Sequence, residues 1–200
     1  RLHGNLCLMR VVCLISGRGT NLQALIDWQT KGLLGDAMIV GVISNVASAY
    51  GRERAKRASM PTSVLSHRDY ADRLLFDQAL RSLIDGYDPD LVVLAGFMRI
   101  LTAEFVTHYH RRLINIHPSL LPKYKGLDTH RRALDAGDTV AGATVHWVTE
   151  ALDAGDIIQQ VKVPIVADDS EERLKARVLE AEHTLYPSVI RDLSLGVISC

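Results

Sequence analysis

Short runs of almost unbroken apolar residues, each followed by a segment of helical period, constrain this chain more than any other feature. Arg10 to Ile15 (RVVCLI) has the character of a strand buried on both faces, and Asn21 to Gln29 that of a helix with Leu22, Leu25 and Ile26 on one side. The rhythm continues with a strand at Met38 to Ile43, a helix at Ala49 to Ala58, a strand at Thr62 to Leu65 and a helix at Tyr70 to Ile84. Asp90 to Leu94 (DLVVL) follows as a strand, Ala103 to His110 as a helix and Leu113 to Ile116 as a strand. Strands that are apolar throughout, alternating with helices, predict a parallel sheet covered on both faces.

The last third departs from that rhythm. Ala143 to Val148 and Ile157 to Val163 are β-rich runs joined by the polar segment Thr149 to Asp156, a hairpin-like pair that makes the sheet mixed. Ser170, Glu171 and Glu172 then open a long helix that runs past Glu182. The predicted fold class is therefore α/β: a Rossmann-like, three-layer arrangement with a mostly parallel, mixed central sheet. Residues 1 to 8 are expected to precede the fold, and residues 9 to 200 to form a single domain.

Composition narrows the function classes. With 48% apolar and 23% charged residues the chain has the balance of a globular protein. Twenty-three acidic and twenty-three basic side chains leave no net pull toward nucleic acid or an anionic membrane. No apolar run is long enough to span a bilayer, and the first residues lack a signal-peptide pattern. Cys7, Cys13 and Cys200 are scattered and odd in number, so neither a disulfide framework nor a thiolate metal site is indicated. A cytoplasmic setting, small-molecule partners and a monomer or homodimer are the expectation.

In open sheets of this kind ligands bind outside the carboxyl ends of the strands. Three suspect segments fall there: Ser16 to Asn21, Gly96 to Leu101 and Asn115 to Pro122. The first, SGRGTN, joins a strand to a helix. Its backbone N–H groups and the helix dipole suit a phosphate, although a tight turn explains two glycines without any ligand. A dinucleotide fingerprint would need a third glycine near Leu22 and an acid after the second strand, where Ile43-Ser44-Asn45 stands instead. No Gly-Lys-Ser/Thr follows, so a Walker loop is excluded as well. A monophosphate is the ligand that fits.

Asn115 and His117 are two apart on a strand, so an amide donor and a titratable ring face the same way. Either alone is open to a structural reading; their spacing suits acyl transfer, with Asn115 donating to a developing oxyanion and His117 moving a proton. Pro118 and Pro122 stiffen the exit path. A carboxylate should favour the cationic imidazole, and Asp153 in LDAGD is the candidate, though Asp and Gly are also ordinary turn residues. No Gly-x-Ser-x-Gly elbow is present. His108 and His110 point to different sides of a helix and make a poor metal pair.

Taken together, SGRGTNLQAL, AGFMRIL, NIHPSLLPKYKG and LDAGDII resemble the glycinamide ribonucleotide formyltransferases, folate-dependent enzymes of purine synthesis. The likeness runs from about Met9 to about Leu193 with the motifs in family order. It implies a 10-formyltetrahydrofolate donor, a glycinamide ribonucleotide acceptor and no metal. Asn115, His117 and Asp153 correspond to the family's catalytic trio; Gly19, Thr20 and Asn21 to its ribonucleotide phosphate loop; Glu182 to its sugar-binding acid. Met98, Arg99, Ile100 and Leu101 correspond to the edge that meets the pterin. Thr149, Glu150, Ala151, Leu152 and Asp153 correspond to the loop that closes over it, and Arg73 to a basic residue near the folate tail. On this likeness the N-terminal half binds the ribonucleotide phosphate and the C-terminal half the folate. Asp156 (often Pro in the family), Arg18 (often small) and Lys125 depart from the pattern, and Leu121–Pro122 is a candidate cis peptide. The related methionyl-tRNA formyltransferases carry a further C-terminal domain and a basic face, and formyltetrahydrofolate hydrolases a regulatory domain before the first strand; neither is expected here. A binding module without catalysis is the alternative from another class, one that would not require Asn115, His117 and Asp153 together.

Overall fold

The computed structural model describes residues 8–199, so most of the expected N-terminal extension, with Cys7 and Cys200, lies outside the described residues. Seven strands form one sheet: β1 (Met9–Ile15), β2 (Ala37–Ser44), β3 (Thr62–Val64), β4 (Leu91–Leu94), β5 (Leu113–His117), β6 (Val140–Trp147) and β7 (Ile157–Pro164). Their spatial order is β3-β2-β1-β4-β5-β6-β7. The first five are mutually parallel, whereas β6 runs antiparallel to β5 and β7 antiparallel to β6. The order reverses between β1 and β4, the switch point where such sheets open a crevice.

Helices α1 (Thr20–Thr30), α2 (Tyr50–Arg57), α3 (Arg73–Asp85), α4 (Ala103–His108), α5 (Thr129–Asp135) and α6 (Glu171–Ser194) complete the chain. The apolar runs are continuous because each strand feeds two cores. Val11, Cys13 and Ile15 of β1 face the α1 and α6 side with Leu22, Leu25, Val178 and Val189. Val12 and Leu14 face Phe76, Leu80 and Phe105 of α3 and α4. This is the alternation of side chains across a pleated strand, doubled by burial on both faces. Burial pushes the Cys13 thiol up to about 12, leaving it inert. No helix among the described residues is long and apolar enough to cross a membrane.

Several boundaries differ from expectation, each for a local reason. The helix expected from Tyr70 starts at Arg73, because Asp72 caps it by accepting the Leu75 N–H, and a short 3-10 turn (His67–Asp69) precedes it. The helix expected to reach His110 ends at His108, after which Arg111 takes φ 57°. Strand β6 begins at Val140 rather than Ala143; Gly142 is required because a Cβ there would overlap the Val161 carbonyl of β7. The α5 helix was not expected at all: only Thr129 and Ala133 of its seven residues are buried, too few for an apolar period.

Candidate active site

Asn115 and His117 lie on the same face of β5, and the antiparallel register sets His146 of β6 opposite Asn115 and Thr144 opposite His117. This part of the sheet is covered by two loops, 118–126 and 148–156. The first is tied down by hydrogen bonds as well as by proline. Thr144 Oγ1 donates to the Ser119 carbonyl at 2.7 Å and accepts the Leu121 N–H at 3.1 Å. The Gln160 amide donates to both the Leu121 carbonyl and Thr144 Oγ1 at 2.9 Å. Tyr124 donates its hydroxyl to Asp138 at 2.6 Å, and with Lys123 holds that carboxyl below the usual range. Leu121–Pro122 is cis.

The second loop leaves β6 at the far end from β5's carboxyl terminus and folds back across the sheet. Trp147 N–H donates to the Asp156 carbonyl at 3.0 Å, closing the return. Gly155 permits it, since a Cβ there would overlap the Trp147 carbonyl. Where the family often has proline, Asp156 instead pairs with Arg111 at 3.2 Å.

Asp153 sits at the loop's inner bend with φ 49°, a left-handed turn conformation, and its carboxylate points toward His117. It is 9% exposed; Oδ2 accepts the Gly126 N–H at 2.9 Å and lies 3.4 Å from His117 Nδ1. The ring of His117 turns its other nitrogen away from solvent, Nε2 donating to the Tyr124 carbonyl at 2.8 Å. Each nitrogen of this imidazole therefore has an oxygen acceptor beside it, a carbonyl at one and a carboxylate at the other.

His146 was missed by sequence reasoning. It is 2% exposed, its Nδ1–H donates to the Trp147 carbonyl at 3.0 Å, and burial depresses its basicity. With Nδ1 donating, Nε2 can accept from Asn115 Nδ2 at 3.5 Å, while Asp153 Oδ1 stands 3.8 Å from the same nitrogen. The signal was there in TVHW: alternation along an antiparallel neighbour of β5 turns His146 to the same face as Asn115.

A cavity of about 180 Å³ opens beside these groups. Leu94, Phe97, Val106 and Val148 form its apolar floor; Arg99, Ile100 and Leu101 one rim; Thr149 to Asp153 the other. Asn115, His146 and Asp153 reach into it, whereas His117 stands behind Asp153 and Met98 points outward at 73% exposure. Arg73, exposed at the start of α3, does not line it.

The glycine loop lies next to the β4 turn, on the other side of the switch point. Gly19 caps α1 with φ 71° and ψ 34° and no side-chain cap. The loop's carbonyls are turned toward α2, Gly17 accepting the Gly51 N–H at 3.0 Å and Arg18 accepting Arg54 Nε at 2.8 Å. The Arg18 side chain itself is exposed. Among the described residues the N–H groups of Arg18, Gly19 and Thr20 donate to no carbonyl and stand at the positive end of α1, an arrangement that suits an anion. Beyond it Asn21 Nδ2 reaches Glu182 Oε1 at 3.5 Å, and burial raises the Glu182 carboxyl to about 7. Asn21 Oδ1 is buried without a partner.

Comparison with known proteins identifies the family. The formyl transferase family model matches residues 9–190. A phosphoribosylglycinamide formyltransferase of Escherichia coli is 52% identical over 183 residues, which are 91% of this chain and 85% of that protein. The trifunctional purine biosynthetic protein adenosine-3 of Bos taurus is 47% identical over 94% of this chain, which spans 19% of that longer protein. The solved phosphoribosylglycinamide formyltransferase of Coxiella burnetii superposes with a TM-score of 0.91 at 51% identity, covering 94% of this chain and 88% of that one. With matched sequence running from β1 well into α6, the chain belongs to the formyl transferase family.

Proposed function

We propose that this enzyme transfers the formyl group of 10-formyltetrahydrofolate to the amino group of glycinamide ribonucleotide in purine synthesis. The observation that supports it most is the convergence of Asn115, His146 and Asp153 beside one cavity, with His117 against Asp153 and an array of free N–H groups at the switch point. A binding module has no need of an amide, an imidazole and a carboxylate within contact of one another.

In this reading the pterin lies over Leu94, Phe97 and Val148 between the two rims, and the ribonucleotide phosphate sits at Gly19, Thr20 and Asn21 with its sugar on Glu182. The acceptor amine resembles a backbone α-amino group of pKa about 8, so a useful fraction is neutral near pH 7 without a strong base. Its lone pair attacks the formyl carbon and the carbonyl electrons move to oxygen. Asn115 has two N–H donors; His146 takes one, which leaves the second for the oxyanion. His117 exchanges the Tyr124 carbonyl for the substrate as the partner of Nε2, while Asp153 balances its charge. The ammonium proton is lost, N10 gains one, and the C–N10 bond breaks with its electrons on N10. Formylated ribonucleotide and tetrahydrofolate result.

The test is to follow deformylation of a 10-formyl folate by absorbance, with and without glycinamide ribonucleotide. Formyl loss that depends on the acceptor and matches it mole for mole is expected. Equal loss without acceptor would make the enzyme a hydrolase, and no loss in either case would leave only a binder.

A further inference from the structure

One residue spans the switch point between the two halves of the site. Ser16 follows β1 and opens the glycine loop, yet its contacts go sideways, to the turn after β4. Its N–H donates to the Gly96 carbonyl at 3.1 Å, and its hydroxyl oxygen accepts the Met98 N–H at 2.8 Å. The hydroxyl proton goes to Asn45 Oδ1 at 2.5 Å. Asn45, at the end of β2 and 4% exposed, stands with its Nδ2 3.2 Å from His67 Nδ1.

We propose that Ser16, despite its place in the glycine loop, is a positioning residue for the folate: its hydroxyl sets the Met98–Leu101 rim of the cavity, and Asn45 orients that hydroxyl. The proposal rests on the function given above. A serine hydroxyl has a single proton, and here Asn45 takes it, so none is left for a phosphate. The same bond turns a lone pair toward the Met98 N–H. At the other end of the rim Thr102 N–H donates to Oδ2 of Asp77, a buried side chain, at 2.7 Å. Between these two anchors the backbone groups of Arg99, Ile100 and Leu101 bond no other protein group among the described residues. Side-chain packing holds them too, Arg99 over the Phe76 ring and Leu101 against the core, but their backbone path is set by what holds Met98 and Thr102. Removing the Ser16 hydroxyl frees one anchor and leaves the Gly19–Asn21 turn untouched.

The experiment varies both substrates in steady state and adds a direct fluorescence titration with a stable 10-formyl folate analogue. Ser16→Ala should raise the folate KM and Kd about fivefold, the scale of one hydrogen bond, while kcat and the ribonucleotide KM stay within about twofold. Asn45→Ala should shift folate binding in the same direction, and the double variant should be no worse than Ser16→Ala, because Asn45 acts through Ser16. The ribonucleotide KM in each preparation doubles as the check that the variant is folded. An unchanged folate KM in Ser16→Ala, an equal rise in both KM values, or additive losses in the double variant would each overturn the assignment. Should the wild type transfer no formyl group, the functional reading fails while the folate titration still decides the role of Ser16.

Discussion

Asp153 takes a left-handed backbone conformation and points a carboxylate at an imidazole, two duties that separate in substitution. Asparagine tolerates the same conformation and can still accept the Gly126 N–H, so Asp153→Asn should fold normally and lose turnover, by about 10-fold or more, through loss of charge alone. A melting temperature that fell with the activity would show the turn, not the charge, to be what matters. His117→Ala and Asn115→Ala should each reduce kcat about 100-fold or more, the scale of losing an acid–base group or an oxyanion donor. Single-turnover kinetics at saturating substrates measure this, and retained turnover removes the residue from its role. Glu182 makes a prediction in pH. Burial raises its carboxyl from 4.5 to about 7, so the folded state holds the proton more tightly than the unfolded chain. That stabilises the fold by roughly 3 kcal/mol below pH 4.5, and the contribution is lost as pH rises through about 7. Glu182→Gln should therefore gain in relative stability between pH 5 and pH 8 (about 2 kcal/mol or more), as read by urea denaturation; a constant difference across that range would contradict the buried, protonated acid.

At the scale of elements, the loops that carry the site are shaped by glycines with neighbours in the way. A Cβ on Gly19 would stand 2.6 Å from Gly51 Cα, and the residue's φ of 71° disfavours a side chain in any case. Gly19→Ala should weaken ribonucleotide binding and cost about 1–3 kcal/mol of stability, while folate affinity is kept. Paired isothermal titrations would show it, and equal loss for both ligands would refute the local reading. The Gly-x-Gly pattern announced a special loop; it did not announce that α2 packs its first turn against it. Element types were legible wherever apolar period was strong, as in β1, β4 and α6. They were not legible at α5, where seven residues bury two small side chains, nor at the start of β6, where the demand for glycine comes from β7.

In the whole molecule α6 ties the two halves together. Tyr186, fully buried, donates its hydroxyl to the Leu94 carbonyl at 2.7 Å, with the Ile114 carbonyl at 3.2 Å, so one side chain clasps β4 and β5 just short of Asn115. Tyr186→Phe leaves those carbonyls without that donor and should cost about 1–3 kcal/mol in urea denaturation; a neutral substitution would mean the strands hold their register unaided. The arrangement of strands at the switch point places the glycine loop beside the turn after β4, and the return of the second loop brings Asp153 to His117 from 36 residues along the chain.

Read without coordinates, the amino-acid order settled what is periodic or local: the layers, the mixed sheet, a glycine turn between β1 and α1, and an amide and imidazole side by side on one strand. Those follow from spacing, because the pleat and the helical turn convert sequence distance into direction. Which distant groups meet was decided only by tertiary packing: His146 opposite Asn115, the Tyr124 carbonyl on His117, the Ser16 hydroxyl on the Met98 N–H. Such contacts arise from strand pairing and from loops folding back over a sheet, where sequence separation no longer measures distance in space.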